Sequence, residues 1–282
     1  MFDVLLSQFW QLTISGIALG FIYVLISLGY TMVYGVLRMI NFANSEIFMW
    51  GTFASVVVTE RVFHFTATSK PATGGKLILV LLMCLLAAML TSASVAMLVE
   101  FVAYRRLRSK GVNRLATLIS AIGMSILLQT IAMLIWSRNP MTYPQLLPST
   151  PIELGGTGAT ITGKEIVIIF VALAVMCGLL FLVEKTKLGR AMRATAEQTQ
   201  IASLMGVNPN RVISITFMLG GALAGLAGVM IASNYGNVHF YMGFIPGLKA
   251  FTAAVLGGIG NLQGAMLGGL LLGLIESLGA GY

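Results

Sequence analysis

A short polar cluster interrupts residues 39–59, an otherwise largely apolar stretch of the chain. Its members are Asn41, Asn44, Ser45 and Glu46. A carboxylate in an apolar environment is costly and usually faces a cavity or a partner group. Asparagine and serine can satisfy the backbone groups that a helix break leaves free. The cluster could therefore present charge to a cation or hold a broken backbone, and both are compatible with Asn44 or Ser45 capping a helix.

A second interruption occurs late in the chain, where residues 255–262 loosely repeat the pattern of residues 36–42. The apolar run is broken there by Gly257, Gly258, Gly260 and Asn261. Glycine allows close backbone approach, and paired interrupted segments in corresponding halves of a chain mark binding regions in transporters. We therefore expect the two interruptions to line or gate one permeation path together.

Other patterns that carry chemistry are weak. Residues 158–165 nearly match a phosphate-binding loop, but Glu165 stands where the hydroxyl that holds magnesium belongs. His64 and His239 stand alone, and neither metal-ligand spacing nor a nucleophile motif appears. The chain is therefore expected to hold no metal, no catalytic residue and no ATP or other cofactor of its own.

Residues 182–213 form a basic segment, LVEKTKLGRAMRATAEQTQIASLMGVNPNRVI, between two apolar runs. Cations mark the cytoplasmic side of a membrane protein, which accounts for the charge. The good helix formers, followed by Gly206 and then residues 208–210, also indicate a helix, a stop and a turn. We predict that this segment is a docking surface for a partner protein.

Composition identifies the class of protein. The chain of 282 residues is 57% hydrophobic and 9% charged, with a mean hydropathy of +0.92, whereas soluble domains carry about 25% charged residues. The apolar runs long enough to span a bilayer are residues 4–37, 77–99, 115–136, 166–183, 212–238 and 250–275. We predict an all-α integral membrane protein with about seven or eight membrane elements, at least one of them interrupted.

The charge distribution predicts a topology rather than a nucleic-acid partner. The net charge is +8, and ten of the 17 cations fall in residues 105–114 and 185–211. Two predicted spans separate these segments, so both are expected on the cytoplasmic face and residues 141–163 outside. Residues 4–37 fit either one long helix or a span and a half-span, which leaves the side of the N-terminus open.

Glycines four residues apart allow helix backbones to approach closely. The pairs are Gly16 and Gly20, Gly221 and Gly225, Gly264 and Gly268, and Gly269 and Gly273. They fit either ordinary bundle packing or contact with a partner helix.

Several motifs together resemble a known family. They are residues 30–43 (YTMVYGVLRMINFA) followed by Glu46, 189–197 (GRAMRATAE), 202–206 (ASLMG), 249–260 (KAFTAAVLGGIG) and 264–269 (GAMLGG). The chain resembles, over nearly its whole length, the H-type permeases of branched-chain amino acid ABC importers. It departs from them at Asn44-Ser45, where the family has His-Gly, and it ends at Tyr282 before a further span that the family has, which suggests truncation.

The resemblance implies a single permease domain, residues 1–282, in the lipid of the bacterial inner membrane. It also implies a second permease, two ATPase subunits that use ATP to drive alternating access, and an external solute-binding protein. The coupling segment would be residues 184–212. Its coupling residues would be Arg193, Ala194, Glu197, Ala202 and Gly206, the last two fitting the Ala-x3-Gly core of the importer motif although Gln200 replaces its Glu.

Two other functions fit the sequence less well than an importer subunit does. A secondary transporter or channel usually needs several ionisable groups in the membrane, and Glu46 is the one that the sequence indicates. A membrane enzyme would need a nucleophile or metal motif. The small-molecule substrate is expected to be a branched-chain or related amino acid, with urea and short amides left open.

Overall fold

The computed structural model describes residues 2–65, 75–110, 114–146, 151–153 and 159–281. Its helices are α1 (Phe2–Leu37), α2 (Asn44–Val57), α3 (Gly75–Val99), α4 (Arg106–Ser109), α5 (Arg114–Trp136), α6 (Gly163–Lys185), α7 (Lys187–Glu197), α8 (Thr199–Leu204), α9 (Pro209–Tyr235), α10 (Phe244–Leu256) and α11 (Leu262–Gly281). Two antiparallel pairs join β1 (Met141–Thr142) to β4 (Asn237–Val238) and β2 (Pro151–Glu153) to β3 (Thr160–Thr162). π-Helical turns at Val58–Val62 and Glu100–Arg105 extend α2 and α3.

The all-α multi-span prediction is confirmed. Among the described residues, six helices are long and apolar enough to cross a membrane: α1, α3, α5, α6, α9 and α11. The shorter apolar helix α10 brings the candidate membrane elements of the described residues to seven, within the predicted seven or eight. The N-terminal run is one continuous helix, α1, because no glycine or proline in it adopts a helix-breaking conformation.

The run of residues 250–275 is not a single span. Helix α10 ends at Leu256, and α11 begins only at Leu262. Between them Gly258 has φ +86° and Gly260 has φ +97°, left-handed conformations that glycine adopts without steric cost. The interruption predicted for this part of the chain is therefore present, at residues 257–261.

Small residues hold the helices together, because lipid supplies little hydrophobic drive for helix association. Helices α1 and α11 run antiparallel with Gly16 and Gly20 against the backbone of Gly273 and Gly269, and α9 packs on α3 through Gly225. The remaining members also meet helices of this chain: Gly221 lies against Ser92, Gly264 against Gly257 and Gly268 against Ala253. All four glycine pairs thus serve packing within the bundle.

The bundle has two distinct ends. Arg108 Nη2 donates a hydrogen bond of 2.7 Å to Asn210 Oδ1, so the two cation-rich segments share one end, called here the basic end. At the other end, called the far end, the Thr160 N–H donates to Gln11 Oε1 at 2.8 Å. Because Gln11 lies near the start of α1, the N-terminus and residues 159–162 share the far end.

The basic segment forms two helices, α7 and α8, and the predicted stop at Gly206 is present with φ +85°. The turn predicted for residues 208–210 is wrong. The Asn208 side chain accepts a hydrogen bond of 3.2 Å from the Arg211 N–H, and Pro209 occupies the first turn of α9. Asparagine at the N-cap and proline at the first helical position favour a helix start.

Candidate functional site

The first interruption is a helix break at residues 38–43, in which Asn41 and Ala43 are buried. Helix α1 ends at Leu37, Arg38 takes φ +52°, and α2 begins at Asn44. Asn41 is 2% exposed, and its Oδ1 accepts hydrogen bonds from the Ala43 N–H at 3.2 Å and the Tyr104 hydroxyl at 3.1 Å. Asn41 thus supplies a partner to backbone that the helices leave unpaired.

Glu46 lies in the first turn of α2 and is fully buried at 0% exposure. Its Oε1 accepts hydrogen bonds from Gln129 Nε2 at 2.8 Å, Ser125 Oγ at 3.3 Å and Ser45 Oγ at 3.3 Å. Its Oε2 has no hydrogen-bond partner within the described part of the chain. Hydrogen bonds to a charged acceptor are stronger than neutral ones, so the carboxylate fixes the orientation of the α5 side chains that reach it.

A cavity of about 270 Å³, called here the central cavity, adjoins this cluster. Its polar lining consists mainly of Ser45, Ser125 and Gln129, and Glu46 lies behind them. The rest of the wall is aromatic and aliphatic: Tyr30, Phe42, Ile122, Ile126, Tyr241, Phe244, Leu248 and Phe251. A few polar groups in an apolar wall are typical of small-molecule sites.

Gly243, directly before α10, and Gly247 within it bring that helix against the start of α2. A Cβ on Gly243 would meet the Ser45 carbonyl, and one on Gly247 would meet the Ser45 side chain. Ser45 is therefore held between its own helix and α10, where its hydroxyl lines the central cavity. The site depends on this close approach, which is possible because Gly243 and Gly247 have no side chains. The glycines of residues 257–261 are not the ones that form it.

The second interruption lies elsewhere. Residues 257–261 are at the basic end, where Gly258, Gly260 and Asn261 are exposed, and Gly257 packs against the Gly264 backbone. Gly260 lines a separate cavity of about 100 Å³ together with Arg193 and the end of α1. The structure thus brings Asn41, Asn44, Ser45 and Glu46 together and leaves Gly257, Gly258, Gly260 and Asn261 apart from them.

An ion pair that the sequence analysis missed connects α10 and α11. Lys249 Nζ lies 2.6 Å from Glu276 Oε1, and the Tyr23 hydroxyl donates to Glu276 Oε2 at 2.8 Å. The membrane helices therefore contain ionisable groups besides Glu46, namely Lys249 and Glu276. This corrects the expectation from the sequence that Glu46 is the one such group. The available signal was that Lys249 and Glu276 directly flank the charge-free run of residues 250–275.

The spacing of Ala202 and Gly206 has a local explanation. The Val207 N–H donates to the Ala202 carbonyl at 3.0 Å, and the Gly206 N–H donates to Ser203 at 3.1 Å. This pattern, with a left-handed glycine after the last turn, is a Schellman C-cap. Ala202 is 4% exposed and packs inward, so it shapes the end of α8 and leaves other residues to form its surface.

The remaining predicted coupling residues are on α7. Ala194, Glu197 and Arg193 are exposed, and Arg193 donates to the Val183 carbonyl at the end of α6. The sequence analysis did not nominate the most exposed apolar side chains of the segment, Ile201 at 54%, Leu204 at 84% and Met205 at 80%. Their signal was apolar character beside a helix-ending glycine in a charged segment.

Comparisons with known proteins agree with this architecture. The family model described as "Branched-chain amino acid transport system / permease component" matches residues 12–282. Over 97% of this chain and 87% of the relative, the chain is 42% identical to the high-affinity branched-chain amino acid transport system permease protein BraD of Pseudomonas aeruginosa. It is 40% identical, over the same shares, to the corresponding permease protein LivH of Escherichia coli.

A partial match extends to another substrate class. The autoinducer 2 import system permease protein LsrC of Yersinia enterocolitica is 34% identical over 41% of this chain. No solved structure matches the chain significantly. The family match covers most of the chain, and the described residues include six helices long and apolar enough to cross a bilayer. The chain therefore belongs to the family of branched-chain amino acid transport permease components, multi-pass proteins of the bacterial inner membrane.

Proposed function

We propose that this chain passes a branched-chain or related amino acid through the membrane, in an importer driven by separate ATPase subunits. The observation that carries this proposal is the central cavity. Its polar wall of Ser45, Ser125 and Gln129 faces an otherwise aromatic and aliphatic lining. An amino acid with a branched aliphatic side chain has the same two-part character, a polar end and an apolar end.

Glu46 acts in this proposal through its neighbours. Because Gln129 Nε2 donates to Glu46 at 2.8 Å, the amide oxygen of Gln129 is left to accept a hydrogen bond from a substrate ammonium. The negative charge behind it adds attraction for that ammonium. Asn41 has a supporting role, since its side-chain oxygen satisfies the Ala43 N–H in the break before α2.

A second permease fits the open side of the central cavity. The lining residues Ile122, Ile126, Phe244 and Leu248 are 41%, 59%, 38% and 43% exposed. Lipid against this opening would leave the polar groups of Ser125 and Gln129 facing hydrocarbon, which is costly. A second permease subunit, similar to this chain or a copy of it, would instead complete the wall.

The tip of the basic segment fits an ATPase subunit. Ile201, Leu204 and Met205 are exposed beside cationic helices, and exposed apolar patches in polar surroundings mark protein interaction sites. The C-cap at Gly206 and the buried Ala202 hold this tip rigidly against the start of α9. A push from the ATPase would therefore move α9 as a rigid body.

The remaining components follow from the family. Two ATPase subunits would bind and hydrolyse ATP on the cytoplasmic side, where the cations of the basic end favour placement. An external solute-binding protein would deliver the substrate at the far end.

In this chain Glu165 already caps α6, accepting 2.8 Å and 2.9 Å hydrogen bonds from the Thr162 N–H and hydroxyl, which argues against phosphate at that helix start.

Purification of the tagged chain with its co-expressed partners tests the proposal. We expect stoichiometric ATPase subunits to copurify and leucine uptake to require their ATP hydrolysis. Leu204→Asp should lower both ATPase recovery and uptake about tenfold, because an apolar contact at an interface centre contributes about 1.4 kcal/mol or more. The matched control is Gln200→Asp, which adds the same charge to an already polar position of α8.

Two outcomes would contradict this proposal. Uptake of leucine by the chain without any ATPase subunit would favour a secondary transporter or channel. Full ATPase recovery and uptake in Leu204→Asp would remove α8 as the docking surface.

A further inference from the structure

A second cavity, called here the outer cavity, lies nearer the far end than the central cavity. Its volume is about 330 Å³, and its lining includes Tyr23, Tyr235, Asn237, His239 and Lys249. Asn237 belongs to β4, which pairs with β1 at that end of the bundle. The outer cavity thus opens where substrate would enter if the basic end is cytoplasmic.

The ion pair of Lys249 and Glu276 forms part of this site. The two charged groups are 2.6 Å apart, and their side chains remain 39% and 27% exposed. Lys249 and Tyr23 line the cavity, and Glu276 accepts a hydrogen bond from each of them. Lys249 is the one lysine or arginine among the residues that line the cavity, and burial lowers the pKa of His239 below its ordinary value.

Tyr241 separates the outer cavity from the central cavity and lines both of them. Its ring stacks on that of Phe244, with the centroids 5.0 Å apart. Both rings are partly exposed, at 41% and 38%, so a rotation of either side chain meets few neighbours. The two cavities therefore adjoin at Tyr241, and Phe244 stacks on it from the side of the central cavity.

We propose that the Lys249–Glu276 pair is an outer binding site for the zwitterionic end of an α-amino acid. The ligand carboxylate would bind the Lys249 ammonium, and the ligand ammonium would bind the Glu276 carboxylate. The Tyr23 hydroxyl, already 2.8 Å from Glu276, would hold that carboxylate in place. This inference deepens the proposed function and rests on it for the direction of passage.

The exchange of partners is chemically balanced. One internal ion pair is replaced by two pairs between ligand and protein, so no charge is left uncompensated in a poorly solvated place. A neutral molecule such as urea cannot separate the two side chains in this way. A carboxylate or an ammonium alone would leave one protein charge without a partner, so the site selects for molecules that carry both.

Protection of a cysteine from labelling tests this site directly. The purified complex in nanodiscs carries Cys84→Ala, Cys177→Ala and Asn237→Cys, and it is treated with a charged methanethiosulfonate reagent. Leucine at saturating millimolar concentration should slow the labelling about tenfold by occupying the cavity. Urea, isovalerate and isoamylamine should leave it nearly unchanged. Asn139→Cys, an exposed position at the same end, is the control that leucine should not protect.

Substitution of the pair shows whether the charges bind the ligand. Adding Lys249→Gln or Glu276→Gln to the Asn237→Cys background should abolish protection by leucine, and Lys249→Arg should retain most of it. If either neutral variant does not fold, the double variant Lys249→Gln with Glu276→Gln supplies the test, because it removes both charges together.

Three results would overturn the inference: no protection by leucine, equal protection by urea, or protection that persists without the Lys249 charge. Its failure is distinguishable from failure of the proposed function. Leucine uptake without protection would overturn the outer site alone, whereas protection without ATP-driven uptake would overturn the proposed function alone.

Discussion

The break between α1 and α2 and the break between α10 and α11 use one local device in two environments. In each break a helix ends, and an asparagine side chain accepts a hydrogen bond from the N–H of the residue two positions later. Asn41 accepts from Ala43 at 3.2 Å, and Asn261 accepts from Gln263 at 3.1 Å. Asn41 is 2% exposed, whereas Asn261 is exposed at the basic end. The first break therefore has to satisfy its polar groups internally, and the second can use water.

This difference in burial distinguishes the first break, which belongs to a candidate site, from the second break, which connects two helices. Directly after the first break, Glu46 accepts hydrogen bonds from Ser125 and Gln129 and orders these α5 side chains, which line the central cavity. The second break contains glycines in left-handed conformations that turn the chain between α10 and α11. A similar sequence pattern thus predicts a helix break in both places. Whether the break is buried decides whether its polar groups can contribute to a binding site.

The largest expected effect is steric and falls on the second break. Gly257→Leu should destabilise the protein by about 3 kcal/mol or more, because its Cβ would overlap the Gly264 carbonyl, which is rigid backbone. Gly258→Ala is the control, since open space surrounds Gly258 and its positive φ costs a side chain about 1–2 kcal/mol. Thermal unfolding in detergent measures both. Equal stability of the two variants would show that the contact with Gly264 is unimportant.

The next effect falls on the first break and on transport. Glu46→Gln keeps the shape and removes the charge, so leucine uptake should fall about tenfold or more while the amount of folded protein is retained. Each hydrogen bond to a charged group contributes about 1.5–3 kcal/mol. Glu46→Leu, which leaves the donors of Ser125 and Gln129 without an acceptor, should instead impair folding. If Glu46→Gln is silent while Glu46→Leu does not assemble, Glu46 is a structural cap and has no part in the pathway.

A matched pair of asparagine substitutions compares the two breaks directly. Asn41→Ala should cost about 2 kcal/mol of unfolding free energy, because it leaves the buried Ala43 N–H without an acceptor and the Tyr104 hydroxyl with only its longer 3.4 Å bond to the Ile40 carbonyl. Asn261→Ala should cost about 1 kcal/mol or less, as expected for an exposed helix cap that water can replace. Chemical denaturation in mixed micelles gives both values. Equal costs would mean that burial does not distinguish the breaks.

The smallest expected effect is a gain in the stability of the protein rather than a loss. Arg38 starts the first break with φ +52° and is exposed, whereas the second break places glycine at its left-handed positions. Arg38→Gly should therefore stabilise the protein by up to about 1 kcal/mol, since glycine adopts this conformation without the steric cost. A rise in the melting temperature checks it, with Arg106→Gly in helical α4 as a control that should lower it.

The sequence predicted the membrane elements well because a span is a local property. A run of about 20 apolar residues must form a helix in lipid wherever its neighbours lie. Gly257, Gly258 and Gly260 likewise indicated a break, since glycine marks where a helix can end. Asn208 and Pro209 were misassigned to a turn because the same residues favour turns and helix starts.

The composition of the candidate site was less predictable. Glu46 was singled out because a carboxylate in an apolar stretch is rare, but its partners Ser125 and Gln129 belong to α5 and have no signal of their own in the sequence. The buried position of Ala202 depends on the way α8 folds back on α9. The pair of Lys249 and Glu276 needs the break at residues 257–261 to turn α11 back alongside α10.

The sequence by itself determined that this chain is a helical membrane protein, where its long apolar runs and its second break lie, that its cations gather at one end, and which family it belongs to. These properties depend on hydrophobicity, charge and motif identity, which act over short stretches of chain. Tertiary structure alone decided that Glu46 holds Gln129, that the second break lies away from the central cavity, and that Lys249 meets Glu276. Such contacts join residues far apart in the chain, and their energies depend on distances and burial that exist only once the helices have packed.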